Sequence, residues 1–164
     1  MKIRFLFFAI GFLMITGVSE SYGQLYKTGV GARLGAFSGL TVKHFVQEDQ
    51  AVEGILSGGI GWGGLGGFVF TGLYEFQRPF ADVPNLEWYF GGGGHLGLLY
   101  DGEDILFGGV ARSVAGLDLI IGVEYTFDEF PFSAGLDWKP VFNIVGPRLL
   151  WGDIAALSIR YTIR

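Results

Sequence analysis

The sequence predicts an all-β protein, an eight-stranded antiparallel up-and-down β-barrel of the transmembrane type. Half of the 164 residues are hydrophobic and only 16% are charged, against about 25% in ordinary soluble domains. After residue 23, no apolar run approaches the ~18 residues that indicate a membrane-spanning helix. Apolar and polar residues instead alternate along short segments, which is typical of barrel strands with one apolar and one polar face.

Residues 1–23 are interpreted as a cleaved secretory signal peptide, and residues 24–164 as the barrel domain. The evidence is a basic start, an apolar run over residues 5–15, and the small residues Ser21 and Gly23 at a cleavage position. The alternative is a membrane-spanning helix, which needs about 20 apolar residues and is therefore longer than this run. We expect export through the inner membrane to the outer membrane.

Composition excludes several classes of function. The chain has no Cys, which excludes a lipid anchor at the cleavage site, structural disulfides and zinc–thiolate sites. Its net charge is −5, whereas nucleic-acid binding requires a basic face. The 29 glycines disfavour helices, because each glycine in a helix interior costs ~1 kcal/mol.

Eight segments alternate with period two, and their apolar parity is expected to face outward. In the last segment, positions 157, 159, 161 and 163 are Leu, Ile, Tyr and Ile, and the positions between them are polar. Tyr26 begins the outward parity of the first segment. Eight is an even number, as bacterial single-chain barrels require. The clear segments are residues 26–35, 117–125, 132–139 and 157–164, and the noisier ones are 40–47, 51–62, 66–77 and 86–99.

The connections predict short turns at one end of the barrel and longer loops at the other. The turns are at residues 48–50, 79–85 and 128–131. The two long loops, Asp101–Arg112 and Asn143–Asp153, are the expected binding surfaces, because loops on a rigid scaffold commonly carry recognition. Tryptophans near strand ends predict an aromatic girdle of the kind found at membrane interfaces. These residues are Trp62, Trp88, Trp138 and Trp151.

Taken together, the alternating segments and turns resemble the superfamily of small eight-stranded outer-membrane barrels that includes the OmpA transmembrane domain and OmpX. The resemblance covers the whole of residues 24–164 and depends on pattern rather than on a specific motif. It implies outer-membrane lipid and the barrel-assembly machinery as partners, and we expect a monomer. Many such barrels end in an aromatic residue that the assembly machinery recognises, whereas this chain ends in Arg164.

A soluble barrel such as a lipocalin is the structural alternative, with apolar side chains inside and charges outside. Alternation by itself does not say which face points inward. The outer face of a soluble barrel carries many charges, whereas each polar face here has one to three, with Gly, Ser and Thr between them. That composition suits a narrow, filled interior better than a surface in contact with water.

Charged residues on the inward parity predict a network inside the barrel. The bases lie mainly on the last strand and the first two, and the acids lie on the third to seventh. A basic arc therefore faces an acidic arc, and buried charges persist when they are paired. Lys27 and Arg164 share the inward parity. The network residues are Arg33, Lys43, Glu53, Glu75, Glu87, Asp118, Glu124, Asp137, Lys139 and Arg160.

The arcs also predict particular pairs. Pairing Tyr125 with Ala134 matches the outward faces of two adjacent strands, and it makes Asp118 the diagonal neighbour of Lys139. Across the interior, Arg33 and Arg160 are expected to pair with carboxylates from among Glu75, Glu87, Glu124 and Asp137.

No catalytic or metal motif is present in the sequence. His44 and His95 are the only histidines, and they fall on opposite parities, so a shared zinc site is not expected. A lipid A deacylase type of enzyme needs a hydroxyl nucleophile beside a histidine base, and Ser38, Ser57 and Ser113 have no recognisable context for that role. We therefore expect no cofactor, no metal and no enzymatic activity. The expected function is structural or adhesive, through external loops whose ligand is unknown, with a narrow solute channel as the alternative.

Overall fold

The computed structural model describes residues 25–35, 37–60, 65–80, 82–101, 110–146 and 150–164. These residues form eight β-strands, each antiparallel to the next, and β1 also pairs with β8 to close a barrel. The predicted fold class is confirmed. The strands are β1 (Thr28–Leu34), β2 (Gly39–Gln47), β3 (Gln50–Ile60), β4 (Leu65–Pro79), β5 (Leu86–Asp101), β6 (Val110–Thr126), β7 (Phe132–Val145) and β8 (Leu150–Ile163).

The two ends of the barrel differ. At the end that we call the turn end, β2–β3, β4–β5 and β6–β7 are joined through residues 48–49, 80–85 and 127–131. The opposite, loop end carries the other four connections, of which residues 102–109 are the longest. Short turns at the end where β1 begins and β8 ends agree with the arrangement expected from the sequence.

Strands β6, β7 and β8 are longer at the loop end than the sequence predicted. β6 begins at Val110, β7 ends at Val145 and β8 begins at Leu150. The two predicted binding loops are corrected accordingly. Most of Asn143–Asp153 belongs to β7 and β8, and Asp101–Arg112 begins and ends inside β5 and β6.

Breaks in register and a loss of polar–apolar alternation accompany these extensions. The pairing of β6 with β7 shifts between Ala115 and Gly116, and the pairing of β7 with β8 shifts between Asp137 and Lys139. Polarity also fails to mark the faces there, because Val114 is an apolar residue that is buried on the inward parity of Asp118. On β7, Phe142 and Ile144 keep the outward parity of Trp138, but Pro140 and Val141 lie beside them.

Apolar side chains cover the outside of the barrel, and polar side chains fill its inside. Leu119, Ile121, Leu136 and Ile159, on the three most regular strands, are 48–53% exposed. On the opposite faces of the same strands, Glu124 and Arg160 are fully buried. The side-chain directions predicted for these strands are therefore observed.

Some apolar residues also lie inside. Ile55, Leu73, Tyr89 and Ile120 form one buried cluster in the barrel. Tyr26 packs edge-on against Phe45 near the turn end, with 5.2 Å between ring centroids. The predicted outward direction of Tyr26 is wrong, because Tyr26 precedes β1 and is not bound by the parity of that strand.

Two of the four tryptophans in the predicted girdle have described side chains. Trp88 lies near the start of β5 and stacks on Phe90, with 5.4 Å between ring centroids. Trp138 is exposed on the outer face but lies in the middle of β7 instead of near a strand end, because β7 continues to Val145. Trp62 and the side chain of Trp151 lie outside the described residues.

Candidate functional site: the charged interior

Five charged side chains from five strands lie together in the half of the barrel nearer the turn end. Lys43 Nζ of β2 lies 2.9 Å from Glu75 Oε2 of β4 and 3.0 Å from Glu124 Oε2 of β6. Arg160 of β8 places Nη2 2.5 Å from Glu53 Oε1 of β3 and Nη1 3.7 Å from Glu124 Oε1. All five are fully or almost fully buried. We call these residues the ionic ring.

Uncharged groups also contact members of the ionic ring. Thr41 donates a hydrogen bond to Glu53 Oε1. Tyr26 donates a hydrogen bond of 2.6 Å to Glu124 Oε1, and Lys43 Nζ lies 4.1 Å from the centroid of the Tyr89 ring. Charge-assisted hydrogen bonds of this kind are about twice as strong as neutral ones, so the ring is held rigidly.

Glycines on the inward face leave room for these large side chains. A Cβ at Gly29 would lie 3.1 Å from the Tyr26 ring and 3.2 Å from Arg160 Cδ. A Cβ at Gly122 would lie 2.6 Å from Tyr89 Cζ. The glycine content thus serves an interior that is filled by side chains of other strands.

A second ion pair joins β1 and β7. Arg33 Nη2 lies 2.5 Å from Asp137 Oδ1, and both side chains are buried. The Tyr89 hydroxyl donates a 3.3 Å hydrogen bond to Asp137 Oδ2. The partner of Arg33 is one of the four carboxylates expected from the sequence. The shortest contact of Arg160 is instead with Glu53, a residue that the predicted pairs omitted.

A separate charged cluster lies further toward the loop end. Asp118 of β6 binds Lys139 Nζ of β7 through Oδ1 at 2.9 Å, and its Oδ2 lies 2.7 Å from His95 Nδ1 of β5. Tyr125 pairs with Ala134 in the register of β6 and β7, which is the register that the sequence argument used for the Asp118–Lys139 pair. We call these three residues the outer cluster.

An apolar layer stands between the ionic ring and the outer cluster. Ile120 lies between Asp118 and Glu124 on β6, and Leu73 lies between Thr71 and Glu75 on β4. Both belong to the buried apolar cluster of the interior. The two groups of charges are therefore neighbours in one lumen without a shared ion pair among the described residues.

Three charged residues on the inward parity are not buried in the network. Glu87 is half-buried and accepts a 2.6 Å hydrogen bond from Gln77 Nε2. Lys27 and Arg164 are exposed, contrary to their parity. Each lies just outside a strand at the turn end, where a long charged side chain can reach water at little cost.

Sequence reasoning missed several uncharged members of the site. Tyr89 and Thr41 lie on the inward parity of β5 and β2, so the alternation that located the charges also contained them. Gln77 likewise shares the inward parity of Glu75 on β4. Tyr26 is a different case. Only the closure of the barrel brings Tyr26 to Glu124, 98 residues away in the chain.

The described residues offer little for catalysis or metal binding. They contain no group of three or more His, Cys, Asp or Glu that could hold a metal ion. No helix within the described ranges is long and apolar enough to cross a membrane. Ser38 bonds to Gly35 in the β1–β2 turn, whereas His44 contacts Thr28 at 2.8 Å and His95 contacts Asp118. Neither histidine is hydrogen-bonded to a serine in this part of the chain.

The closed eight-stranded backbone has a counterpart among solved structures. The chain is similar in fold to an outer-membrane protein barrel. It matches the N-terminal β-barrel domain of Pseudomonas aeruginosa OprF with a TM-score of 0.64 and 13% sequence identity, over 85% of this chain and 98% of that domain. No protein-family model matches the sequence, and no curated protein matches it. The resemblance drawn from the sequence is confirmed for the fold.

Proposed function

We propose that this protein is an integral outer-membrane barrel whose filled lumen makes it a structural or binding scaffold rather than a pore or an enzyme. The distribution of polarity is the observation that carries the proposal. Apolar side chains such as Leu40, Phe68, Leu96 and Leu117 are 57–65% exposed on the outer surface, whereas Arg33, Lys43 and Arg160 are buried inside. In water, the exposed apolar side chains and the buried charges would both be unfavourable. In a lipid bilayer, the apolar side chains face hydrocarbon and the charges are kept away from it.

An aromatic band at the turn end supports a membrane interface at that level. Phe76 and Phe90 stack at 5.6 Å between centroids, and Tyr125 packs edge-on against Phe127 at 5.0 Å. Phe132 and Tyr161 make the corresponding contact between β7 and β8 at 5.6 Å. Amphipathic aromatic rings are enriched where hydrocarbon meets headgroups.

The ion pairs and the apolar layer support a filled lumen. The ionic ring spans the interior from β2 and β3 to β6 and β8, and Ile55, Leu73, Tyr89 and Ile120 lie beside it. An eight-stranded barrel is just wide enough for side chains to fill it. Ion conduction would require these pairs to separate.

Binding, under this proposal, takes place at the loop end. The β7–β8 connection is reduced to residues 146–149, so residues 102–109 form the longest connection there. That segment lies outside the described residues. Its position on a rigid scaffold is the reason to expect recognition there.

Two measurements test the proposal. The full chain, expressed in a Gram-negative host, is expected in the outer-membrane fraction, with a folded band that shifts on heating in detergent gels. The purified barrel is expected to give no stepwise conductance in planar lipid bilayers. Recovery in the soluble periplasmic fraction would contradict the membrane location, and regular single-channel steps would contradict the filled lumen.

A narrow solute channel is the second candidate, and buried polar atoms favour it. Ser158 Oγ, Thr126 Oγ1 and Gln77 Oε1 are buried, and no described residue gives them a hydrogen-bond partner. Such atoms are normally satisfied by ordered water, which a channel would provide. Conductance that increases when Arg160 is replaced by Met would favour this candidate over the scaffold.

A lipid-modifying enzyme is a third possibility, which the proposal excludes. His95 and Asp118 form a hydrogen-bonded pair, but the described residues provide no serine nucleophile bonded to His95. Lipid mass spectrometry on cells expressing the protein is expected to match cells without it. A modification that disappears in His95→Ala and persists in the His44→Ala control would overturn the non-enzymatic assignment.

A further inference from the structure

The ionic ring contains more acids than bases. Glu53, Glu75 and Glu124 face two bases, Lys43 and Arg160, and all five are closed off from water. With every group ionised, the ring would carry one uncompensated negative charge. A buried charge without a partner is strongly destabilising, and such a group is expected to become neutral instead.

Glu53 and Glu75 lie next to each other. Ala51 is directly opposite Glu75 in the pairing of β3 with β4, so Glu53 is the diagonal neighbour of Glu75. Diagonal neighbours on paired strands are within reach of each other's long side chains. Two carboxylates so placed and closed off from water do not both ionise readily, and a proton on one of them would give the pair a donor.

Unpartnered oxygens point to the same place. Glu53 Oε2 and Glu75 Oε1 are buried, and no donor among the described residues reaches either atom. Most buried polar atoms in proteins have a partner. One proton between the two carboxyl groups would supply the donor that these oxygens lack.

We propose that Glu53 and Glu75 form a proton-binding site, and that the folded barrel holds one proton on Glu75 at neutral pH. Glu53 already accepts hydrogen bonds from Thr41 and from Arg160, the latter at 2.5 Å, which stabilises its charged form. Among the described residues, the ion-pair partner of Glu75 is Lys43 at 2.9 Å, and Lys43 is shared with Glu124. With Glu75 protonated, two carboxylates face two bases and the ring is neutral.

The described parts of the surrounding strands supply no further base for Glu75. Lys43 and Arg160 are the bases that face the pair, from β2 and β8, and each also contacts Glu124 of β6. The other titratable groups around the ring are not bases, so none of them would stabilise a negative charge on Glu75. They are Tyr26 before β1, Glu87 and Tyr89 of β5, and Asp137 of β7, which is paired with Arg33.

The site makes folding depend on pH. An exposed glutamate in the unfolded chain has an ordinary pKa of about 4.3, so it carries no proton at neutral pH. Folding then takes up one proton, and the folded state binds more protons than the unfolded state. The ratio of folded to unfolded protein therefore falls about tenfold for each unit of pH increase, until the folded barrel releases the proton.

The substitution Glu75→Gln tests the site, because an amide mimics the protonated carboxyl group. Urea unfolding of the refolded full chain is measured in lipid vesicles over a series of pH values. Glu75→Gln is expected to match the wild-type urea midpoint near about pH 4, where the unfolded chain also holds the proton, to exceed it at neutral pH, and to lose the tenfold-per-unit pH dependence. Glu124→Gln is the matched control. It removes the negative charge that faces Lys43 and Arg160 and is expected to lower the midpoint clearly.

Infrared spectroscopy provides a second measurement that does not depend on unfolding. The wild-type barrel at neutral pH is expected to show the carbonyl stretch of a protonated carboxyl group, and Glu75→Gln is expected to lose it. The proposal is overturned if Glu75→Gln lowers the midpoint as much as Glu124→Gln does, or if its pH dependence equals that of the wild type. A midpoint that follows the sodium concentration instead of pH would also overturn it, since a metal cation would then occupy the place of the proton.

Discussion

Replacing Arg160 by Met removes the central base of the ionic ring while it retains most of the volume of the side chain. Arg160 is fully buried, with one guanidinium nitrogen 2.5 Å from Glu53 and another 3.7 Å from Glu124. In Arg160→Met, both carboxylates would face Lys43 alone. The ring would then hold one more negative charge than it can pair.

The expected cost follows from breaking a buried ion pair, which is ~3–5 kcal/mol when one partner is left behind. One factor of ten in the folding equilibrium is about 1.36 kcal/mol, so the folded-to-unfolded ratio should fall by roughly 10²- to 10⁴-fold. Glu53→Gln should cost less, because Glu124 still faces Arg160 and Glu75 can ionise in its place. The double variant should recover part of the loss, with a coupling of about 1–3 kcal/mol.

A double-mutant cycle measures this coupling. The parent, the two single variants and the double variant are unfolded with urea in lipid vesicles and followed by tryptophan fluorescence. A second cycle combines Arg160→Met with Asp118→Asn as the control. The outer cluster is separated from the ring by Leu73 and Ile120, so these two changes should be additive within about 0.5 kcal/mol.

Two results would refute this account of the interior. Additive effects of Arg160→Met and Glu53→Gln would mean that the charges are separately hydrated. A coupling between Arg160 and Asp118 as large as that between Arg160 and Glu53 would mean that the apolar layer does not isolate the two clusters. The first result would place the narrow channel ahead of the filled scaffold.

Three further predictions concern the outward-facing side chains, the turn end of the barrel and export. Ile121→Arg, at a position half exposed on the outer face, should cost ~2–4 kcal/mol in vesicles, whereas Phe130→Arg in the β6–β7 turn should change stability by less than about 1 kcal/mol; equal effects would contradict the assigned faces. Tyr26→Phe, which removes the hydroxyl that Glu124 accepts from, should cost about 1.5–3 kcal/mol in urea unfolding, and an unchanged midpoint would show that this bond is unimportant. Intact-mass measurement of the membrane-extracted protein should show that residues 1–23 are removed, and a mass that retains them would be inconsistent with a cleaved signal peptide.

Much of the fold was predictable because alternation is a local property. In a strand, side chains point to opposite faces with period two, so Leu157 to Ile163 reveal their faces without knowledge of any partner. Eight such segments and their turns were enough to predict the barrel and to place Glu124 and Arg160 inside it. The same local rule missed the loop-end extensions of β6, β7 and β8, where residues such as Val114 are apolar although they point inward.

The candidate site was predictable in membership and less so in its contacts. Parity identified Lys43, Glu53 and Glu75 as inward residues, and the register of β6 with β7 followed from matching their apolar faces. The partner of Arg160 was predicted less well. Its shortest contact joins β8 to β3 across the lumen, and such a distance depends on the diameter and tilt of the closed barrel, which no single strand encodes.

The sequence by itself determined the number of strands, their faces and the sign of the charge on each strand, because these follow from the order of residues along an extended chain. Only the tertiary structure decided which charges meet. Closure brought Tyr26 to Glu124 across 98 residues and placed three carboxylates around two bases. It also set Glu53 beside Glu75 with unpartnered oxygens. The physical reason is that side-chain direction is set within each strand, whereas pairing across the lumen depends on the distance between opposite strands of the closed barrel.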